Sequence, residues 1–380
     1  MSRLPQIWPG RVEYLKMNAP EDPVLFFAPE VLAATAKRFQ AGFRGLVTYA
    51  VKANAERAVI ENLASFGIGA FDVASPVEIA LVRGISPIAK LHYNNPVRSP
   101  AEIKMALEAG VESWSVDGFS ELAKLLDQLP KGHEISVRLA LPIEGAVYDF
   151  GEKFGEGPEG AAALLKAVSE AGMVTSMTFH PGTQCADPEA WARYIRAAAD
   201  VAQAAGVRLA RLNVGGGFPA DRGQGVTPLE DIFSVIHQEV DKAFGADAPE
   251  LVCEPGRAMV AGAFSVAAQV KSKRECGALI LNDGIYGLMG EAPSMGSVEG
   301  LTVVAPDGSR KNAPQKARVI YGPTCDSLDK LPDPLMMAGD VVEGDYILFP
   351  GLGAYATATA TRFNGYGDYR MVTVQGLMNA

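Results

Sequence analysis

Eight short apolar runs alternate with helical patterns across the first two thirds of the chain. The runs lie at residues 46–51, 70–73, 91–93, 113–116, 135–139, 174–179, 209–214 and 251–254. Helical periodicity separates them at residues 55–66, 76–83, 101–109, 119–129, 160–171, 187–205 and 229–244. Strands that are apolar throughout and separated by helices are typical of parallel strands covered on both faces. Eight such units within about 230 residues predict a (β/α)8 barrel of the TIM type.

The pattern changes after about residue 260. Shorter β-rich runs follow at residues 264–270, 278–281, 301–304, 317–321, 346–349 and 371–374, with glycine and proline between them. This pattern is typical of an antiparallel sandwich or barrel. We therefore predict an α/β chain with two domains, a barrel at 25–260 and an all-β domain formed by 1–24 with 261–380. A short alternating piece at 11–15 is a candidate strand of the second domain.

Composition excludes several classes of function. The net charge is −10 and no long basic run occurs, so nucleic acid and anionic membrane surfaces are not expected partners. The N-terminus lacks the apolar segment of a signal peptide, and no apolar run approaches the roughly 20 residues needed to cross a bilayer. Four cysteines without Cys-x-x-Cys pairing indicate a reducing compartment and argue against a disulfide framework or a zinc ribbon. The sequence predicts a cytoplasmic protein without a bound metal.

Each of the eight apolar runs ends at a polar residue or a glycine. In a barrel, catalytic and binding groups lie at the carboxyl ends of the strands. Those ends carry Lys52, Asp72, Asn94 with Asn95, Asp117, Arg138, His180, Gly215 to Gly217, and Glu254. Lys52 leaves its strand directly, where partial desolvation lowers the pKa of an amine and suits it to carbonyl chemistry. An ordinary surface lysine is the alternative that this stretch alone leaves open.

Two loops have the composition of a phosphate site. Three glycines follow the seventh run: Gly215, Gly216 and Gly217. Glycines let backbone N–H groups approach a phosphate closely, and Gly256 with Arg257 follows the eighth run, where barrels often bind phosphate. Glu254 stands where it can accept a hydrogen bond from a protonated ring nitrogen. A lysine amine, a phosphate cradle and such a carboxylate are the groups that pyridoxal phosphate requires, although each loop alone also fits an ordinary turn.

Five further residues have suitable chemistry. His180, in Phe-His-Pro-Gly-Thr, can stack on a cofactor ring, and the Thr183 hydroxyl can reach a phosphate. Cys325 precedes Asp326 in a Gly-Pro-Thr-Cys-Asp-Ser turn, which pairs a proton donor with an anchor for a cationic group. The Tyr355 phenol can also reach a phosphate. A structural histidine, an ordinary loop and a core tyrosine are the alternatives.

The motifs occur in the order of a known family. They are Tyr-Ala-Val-Lys-Ala-Asn at 49–54, Phe-Asp-Val-Ala-Ser at 71–75, Asn-Asn-Pro at 94–96, Lys-Phe-Gly at 153–155, Phe-His-Pro-Gly-Thr at 179–183, Gly-Gly-Gly-Phe-Pro at 215–219, Glu-Pro-Gly-Arg at 254–257, Asn-Asp-Gly-Ile-Tyr-Gly at 282–287, Gly-Pro-Thr-Cys-Asp-Ser at 322–327, Gly-Ala-Tyr at 353–355 and Phe-Asn-Gly-Tyr at 363–366. The chain resembles the fold-type III pyridoxal-phosphate decarboxylases, and within them the eukaryotic-type ornithine/lysine decarboxylases.

The resemblance implies a role for each matching residue. Lys52 is the Schiff-base lysine, Glu254 pairs with the pyridine nitrogen, and His180 stacks on the ring. The residues implied to hold the phosphate are Thr183, Gly215, Gly216, Gly217, Gly256, Arg257 and Tyr355. Those implied to line the pocket near the lysine are Asp72, Glu78 and Arg138. Cys325 and Asp326 are implied to enter the partner subunit's site in a homodimer, as Cα proton donor and amine anchor, and Phe363 is implied to contact substrate.

The resemblance also implies the reaction, with one departure at the substrate's far end. The implied reaction converts ornithine or lysine to its diamine and CO2, as in polyamine biosynthesis. Ser294 and Met295 stand where a second acid is expected, and Glu291 is the nearest carboxylate. Loss of a carboxylate opposite a buried ammonium costs several kcal/mol of binding. Either Glu291 substitutes for it, or the substrate is a modified or conjugated diamino acid.

Other relatives with this architecture are alternatives. Diaminopimelate decarboxylases usually carry Glu where this chain has Asp326, and alanine racemases use a tyrosine in place of the Cys-Asp turn. A regulatory protein that has lost turnover is a non-enzymatic alternative, but such homologues typically lack the lysine or the phosphate motif. This chain retains Lys52, Glu254, Arg257 and Cys325.

Overall fold

A computed structural model describes residues 6–142, 153–223, 225–296 and 299–377. Parts of both predicted domains, 1–5, 143–152, 224, 297–298 and 378–380, lie outside the described residues. The chain divides into two compact units. The barrel unit comprises 36–219 with 226–258, and the β unit comprises the residues up to 35 with 220–225 and the residues from 259.

The described strands are, in chain order, β1 Val24–Phe27, β2 Leu46–Ala50, β3 Ala70–Val73, β4 Lys90–Tyr93, β5 Ser113–Val116, β6 Glu134–Leu139, β7 Val174–Phe179, β8 Arg211–Asn213, β9 Glu250–Cys253, β10 Phe264–Lys273, β11 Leu279–Leu281, β12 Thr302–Val304, β13 Gln315–Arg318, β14 Ile320–Tyr321, β15 Leu335–Ala338, β16 Tyr346–Pro350 and β17 Arg370–Thr373. The described helices are α1 Arg11–Asn18, α2 Pro29–Gly42, α3 Arg57–Ser65, α4 Pro76–Ile85, α5 Pro100–Glu108, α6 Phe119–Leu126, α7 Pro158–Glu170, α8 Glu189–Ala205, α9 Leu229–Phe244, α10 Arg257–Val260, α11 Ala292–Met295 and α12 Ala356–Thr359.

Strands β2 to β9 form a closed parallel barrel in which β9 pairs back with β2. Their buried residues are largely apolar, as expected for strands that have the barrel interior on one face and helices on the other. The predicted (β/α)8 fold is confirmed. Because parallel strands share one direction, all eight carboxyl ends meet at one rim. Register places Arg138, Thr178 and Asn213 side by side on β6, β7 and β8 at that rim.

The β unit contains a mixed sheet in the order β12-β16-β10-β1-β17, with β11 and β14 attached. The predicted antiparallel pairing holds for most neighbours, but β1 pairs with β17, and β11 with β14, in parallel. The pair β13–β15 forms a separate two-stranded sheet. The separate β domain is thus confirmed, with two parallel pairings that the sequence did not predict.

The candidate strand at 11–15 is wrong, because these residues open helix α1. Arg11, Tyr14 and Leu15 are buried on one helical face, and this spacing of three and four residues is helical. The guanidinium of Arg11 donates a hydrogen bond to Ser265 Oγ at 2.8 Å. Within the described ranges, no helix is long and apolar enough to cross a membrane.

Candidate functional site

A cavity of about 260 Å³ lies at the carboxyl ends of the barrel strands. It contains side chains from six of the predicted strand ends. The lining residues are Lys52, Asp72, Ala74, Asn94, Asn95, Pro96, Arg138, Lys153, Phe154, Thr178, Phe179, His180 and Glu254. The structure thus brings the predicted lysine, arginine, histidine and two carboxylates to one place.

Lys52 lies in a single 3-10 turn that follows β2 directly. Its neighbours Val51 and Ala53 are buried, while the lysine side chain is exposed. The Tyr49 hydroxyl donates to the backbone oxygen of Asn54 at 2.9 Å and ties down the end of the turn. A rigid backbone therefore presents the amine to the cavity. The single chain does not show the partial desolvation that the position at a strand exit predicts.

Two carboxylates are buried beside this lysine. Asp72, on β3, is 4% exposed, and Glu254, directly after β9, is 7% exposed. Burial, and next the charge of Glu254, raises the pKa of Asp72 well above its usual value, while Lys52 opposes the shift. The side-chain amides of Asn94 and Asn213 both donate to Oε1 of Glu254. The site therefore holds one carboxylate with two amide donors beside a second carboxylate whose pKa is raised by burial.

His180 follows β7, and the hydrogen bond to its Nδ1 and the surrounding charges favour the neutral imidazole. The backbone N–H of Gly182 donates to Nδ1 at 3.1 Å, so Nδ1 is the acceptor nitrogen. Burial, and next the charges of Lys52 and Arg138, lowers the pKa of His180 well below its usual value. A neutral ring in this cavity can pack against a planar ligand without adding positive charge.

Arg138 and Glu78 have different surroundings. The guanidinium of Arg138 lies 5.4 Å from the ring centre of Phe154, and burial lowers its pKa. Glu78, near the start of α4, accepts from the Ala74 N–H at 2.7 Å, and its own N–H donates to Ser75 Oγ at 3.3 Å. Burial raises the pKa of Glu78. The observed bonds of Glu78 cap helix α4, whereas Arg138 faces the cavity.

The glycine loop after β8 lies against the barrel rim. Gly215 has φ of 69°, and a Cβ there would lie 2.1 Å from the Phe179 carbonyl oxygen. A Cβ on Gly216 would lie 2.7 Å from the Glu254 carbonyl oxygen and 3.1 Å from Nε2 of His180. Only glycine permits both the conformation and the close approach. The loop therefore places bare backbone next to His180 and Glu254.

The other predicted phosphate residues of the barrel unit lie in the segments that follow β7 and β9. The Cys185 N–H donates to the Gly217 oxygen at 2.9 Å, so the segment that contains Thr183 packs on the glycine loop. Thr183 is 7% exposed. Gly256 and Arg257 follow Glu254 by two and three residues, and Arg257 is 6% exposed. Bare backbone, a hydroxyl and a buried guanidinium fit an anionic group such as a phosphate.

In the β unit, Cys325 and Asp326 belong to a cluster of loop residues. The Cys325 side chain is exposed, and its N–H donates to Asn364 Oδ1 at 3.0 Å. The Tyr286 hydroxyl donates to Oδ2 of Asp326, and its ring centre lies 4.9 Å from that of Phe363. The Tyr286 bond, and next the Leu328 N–H, lowers the pKa of Asp326. Motifs about 40 residues apart thus form one surface with a thiol, a carboxylate and two rings.

Sequence reasoning missed the group that organises this cluster. Asp329 is 1% exposed. Its carboxylate accepts from the Ile285 N–H at 3.0 Å, the Thr324 N–H at 3.1 Å and the Thr324 hydroxyl at 2.7 Å. It joins the two loops that carry Tyr286 and Cys325. In the sequence, Asp329 is only an acidic residue three positions after Asp326. Its role depends on the contact with Ile285, which the sequence pattern does not show.

Glu291 and Tyr355 lie elsewhere in the β unit. Glu291 borders a small cavity of about 20 Å³ together with Arg222 and Leu288. Ser294, next to it on α11, is exposed. Tyr355 precedes α12 with φ of 59°. The predicted substrate residues Asp326 and Phe363 are therefore brought together through Tyr286, and Glu291 borders a different cavity.

Comparisons with known proteins agree with this geometry. The family model described as "Pyridoxal-dependent decarboxylase, pyridoxal binding domain" matches residues 30–261. Ornithine decarboxylase of Mus musculus is 32% identical over 342 residues, which cover 84% of this chain and 73% of that protein.

Solved structures extend the similarity to the β unit. Lysine decarboxylase from Selenomonas ruminantium is 28% identical with a TM-score of 0.82, covering 96% of this chain and 94% of that one. Lysine/ornithine decarboxylase from Vibrio vulnificus, complexed with cadaverine, is 26% identical with a TM-score of 0.81, covering 93% and 95%. From the family match and the extent of these similarities, the chain belongs to the pyridoxal-dependent decarboxylase family.

Proposed function

We propose that this protein is a pyridoxal-phosphate-dependent decarboxylase that converts a basic amino acid, such as ornithine or lysine, to its diamine and CO2. The observation that carries the proposal is the barrel-rim cavity, where Lys52, His180 and Glu254 face one space. The relatives named for ornithine and lysine decarboxylation support the choice of a basic amino acid. Pyridoxal phosphate, when bound, supplies the electron sink that accepts the electron pair left at Cα as CO2 departs.

The roles of the barrel residues follow from their surroundings. Lys52 supplies the amine that holds the cofactor. Glu254 accepts a hydrogen bond from the ring nitrogen, and the neutral imidazole of His180 packs on the ring. Asp72, Glu78 and Arg138 surround the lysine and set the local charge. We assign the phosphate to Thr183, Gly215, Gly216, Gly217, Gly256, Arg257 and Tyr355.

The Cys325 loop supports a homodimer with shared active sites. Cys325 is exposed, Leu328 is 71% exposed and Phe363 is 42% exposed. An exposed apolar surface around a thiol and a carboxylate fits a second copy of the chain as its cover. In that dimer the Cys325 thiol protonates Cα in the partner's site, and Asp326 anchors the distal amine.

The dimer is tested by mixing two inactive variants. Neither Lys52→Ala nor Cys325→Ala should turn over alone. If the sites are shared, random re-pairing should restore about a quarter of the wild-type rate, because half of the dimers are mixed and each has one intact site. Cys276→Ala, which removes a thiol from another exposed position, is the control. A mixture that stays inactive while the subunits exchange contradicts shared sites.

The reaction is tested with ornithine, lysine, arginine, diaminopimelate and diaminobutyrate, scored by CO2 release. The wild-type protein should absorb in the visible range when loaded with pyridoxal phosphate, and Lys52→Ala should lose both that band and turnover. Protein that cannot be reconstituted with the cofactor contradicts the proposal.

We also propose a cytoplasmic location, which the four free cysteines support.

One observation favours a second substrate class with the same chemistry. Ser294 and Met295 stand in place of an acid, and Glu291 borders its own small cavity with Arg222. Asp326 is then the carboxylate that meets the distal group, which fits a modified or conjugated diamino acid. Cofactor-loaded protein that releases no CO2 from the five amino acids favours this class.

A further inference from the structure

Two asparagines at the barrel rim hold the same oxygen of Glu254. The side-chain amides of Asn94, after β4, and Asn213, at the end of β8, both donate to Oε1. Asn94 is 9% exposed, Asn213 is 5% and Glu254 is 7%. Donor and acceptor lie 160 and 41 residues apart in sequence. The barrel closure therefore assembles a buried amide–carboxylate–amide group.

Other contacts fix the side-chain amide of Asn213 and the backbone of Asn94. The oxygen Oδ1 of Asn213 accepts from the Gly215 N–H at 2.9 Å, so its nitrogen must face Glu254. The backbone of Asn94 donates its N–H to Asp72 and accepts from Ser115 Oγ at 2.8 Å. Glu254 is thus bonded to one amide whose orientation is fixed and to a second amide that extends from a fixed backbone.

The arrangement carries a cost that packing alone does not explain. Oδ1 of Asn94 is buried and has no hydrogen-bond partner among the described residues. A buried polar atom without a partner destabilises the folded state. Such a group is expected where function requires it. In Asn94, the same side-chain amide leaves its oxygen unpaired and donates its N–H to Glu254. We therefore assign the function of this amide to its contact with Glu254.

The neighbouring carboxylates of Glu254 and Asp72 differ in the hydrogen bonds that they accept. Glu254 accepts two amide N–H bonds, and these stabilise an anionic carboxylate. Asp72 accepts one backbone N–H, and its Oδ1 is buried without a hydrogen-bond partner in the described part of the chain. Burial and the charge of Glu254 accordingly raise the pKa of Asp72.

Both donors also leave one oxygen for a ligand. A carboxylate has about four acceptor positions, and the hydrogen bonds to the Glu254 side chain within the described ranges all end on Oε1. The same side chain borders the cavity. The oxygen Oε2 therefore keeps its acceptor capacity, on a residue that lines the cavity.

We propose that Asn94 and Asn213 are positioning residues that hold the Glu254 carboxylate through Oε1 and direct Oε2 at the protonated ring nitrogen of the cofactor. This inference rests on the proposed function. The amides act through Glu254. Truncating them weakens recognition of the ring nitrogen and leaves recognition of the phosphate and the aldehyde intact.

The test compares two cofactors on the apo-protein. The probes are pyridoxal phosphate and its analogue in which the ring nitrogen is replaced by C–H, titrated by absorbance. A hydrogen bond to a charged group predicts that the wild type prefers pyridoxal phosphate by about tenfold or more. The preference should fall about threefold in Asn94→Ala and in Asn213→Ala, and should nearly vanish in the double variant. The two single variants keep the test valid if the double variant folds poorly.

Asn62→Ala is the matched control. Its amide donates to the Ala58 oxygen at 2.7 Å on α3, so the same truncation occurs outside the cavity. It should keep the wild-type preference. Equal loss of affinity for both cofactors in the Asn94 and Asn213 variants, or an unchanged preference, overturns the inference and leaves the proposed function intact. A wild type that binds neither cofactor overturns the proposed function and this inference with it.

Discussion

The Asp329 carboxylate holds together the two loops that carry Tyr286 and Cys325, and removing it should destabilise the β unit. It accepts three hydrogen bonds, from the Ile285 N–H and from both the N–H and the hydroxyl of Thr324. Its side chain is 1% exposed, so water cannot replace the lost acceptor without entering the core.

The magnitude follows from those three bonds. A hydrogen bond to a charged group contributes about 1.5–3 kcal/mol, and a buried donor left without a partner costs about 1–3 kcal/mol. Asp329→Ala leaves two backbone N–H groups unpaired and creates a small void, but removes a buried charge. We expect a net loss of about 3–5 kcal/mol in the free energy of unfolding. Asp329→Asn keeps the shape and one acceptor, and should cost about 1–2 kcal/mol.

Urea unfolding and amide hydrogen exchange measure the two parts of this prediction. Because a chain with two units can unfold in more than one step, exchange at the amides of Ile285 and Thr324 reports the local effect directly. Both amides should exchange faster in Asp329→Ala. Asp333→Ala, which removes an exposed aspartate four residues along, should change the unfolding free energy by less than about 0.5 kcal/mol. Equal unfolding midpoints and unchanged amide exchange in Asp329→Ala would show that the Asp329 carboxylate does not hold the two loops together.

Three further predictions address the cavity, the pH dependence and the substrate. Gly216→Ala should weaken pyridoxal phosphate binding by about tenfold or more, because its Cβ would lie 2.7 Å from a carbonyl oxygen; Gly84→Ala, where a Cβ meets nothing within 4 Å, is the control in the same titration. Burial raises the pKa of Asp283 from 3.8 to about 7, so the stability it contributes is complete below 3.8 and is lost as the pH rises towards 7. Asp283→Asn should therefore flatten the decline of unfolding free energy over this window, as measured by urea unfolding at several pH values. Ser294→Asp should raise kcat/KM for lysine or ornithine by about tenfold or more, measured by CO2 release. An unchanged kcat/KM would show that residue 294 on α11 does not contact the distal amine of the substrate.

The barrel and the strand-end residues could be predicted because both follow from local pattern. Parallel strands buried on both faces read as apolar runs, and the residue that ends each run lies at the common rim. Lys52, Asp72, Arg138, His180 and Glu254 meet in one cavity for that reason.

Contacts across long sequence distances could not be predicted in the same way. The bonds from Asn94 and Asn213 to Glu254 depend on how the barrel closes, and the bond from Tyr286 to Asp326 joins two loops. Periodicity reports which face of an element a residue occupies, not which residue it meets across the fold. The prediction of a strand at 11–15 was wrong because five alternating residues also fit one face of a helix.

Borohydride reduction tests whether Lys52 holds the cofactor at the barrel rim. Reduction of the cofactor-loaded protein turns the carbon–nitrogen linkage into a stable bond, and peptide mass spectrometry then locates it. We expect one pyridoxyl group per chain, on the peptide that contains Lys52, and no stable adduct in Lys52→Ala. An adduct at another lysine such as Lys153, or none in loaded wild-type protein, would contradict it.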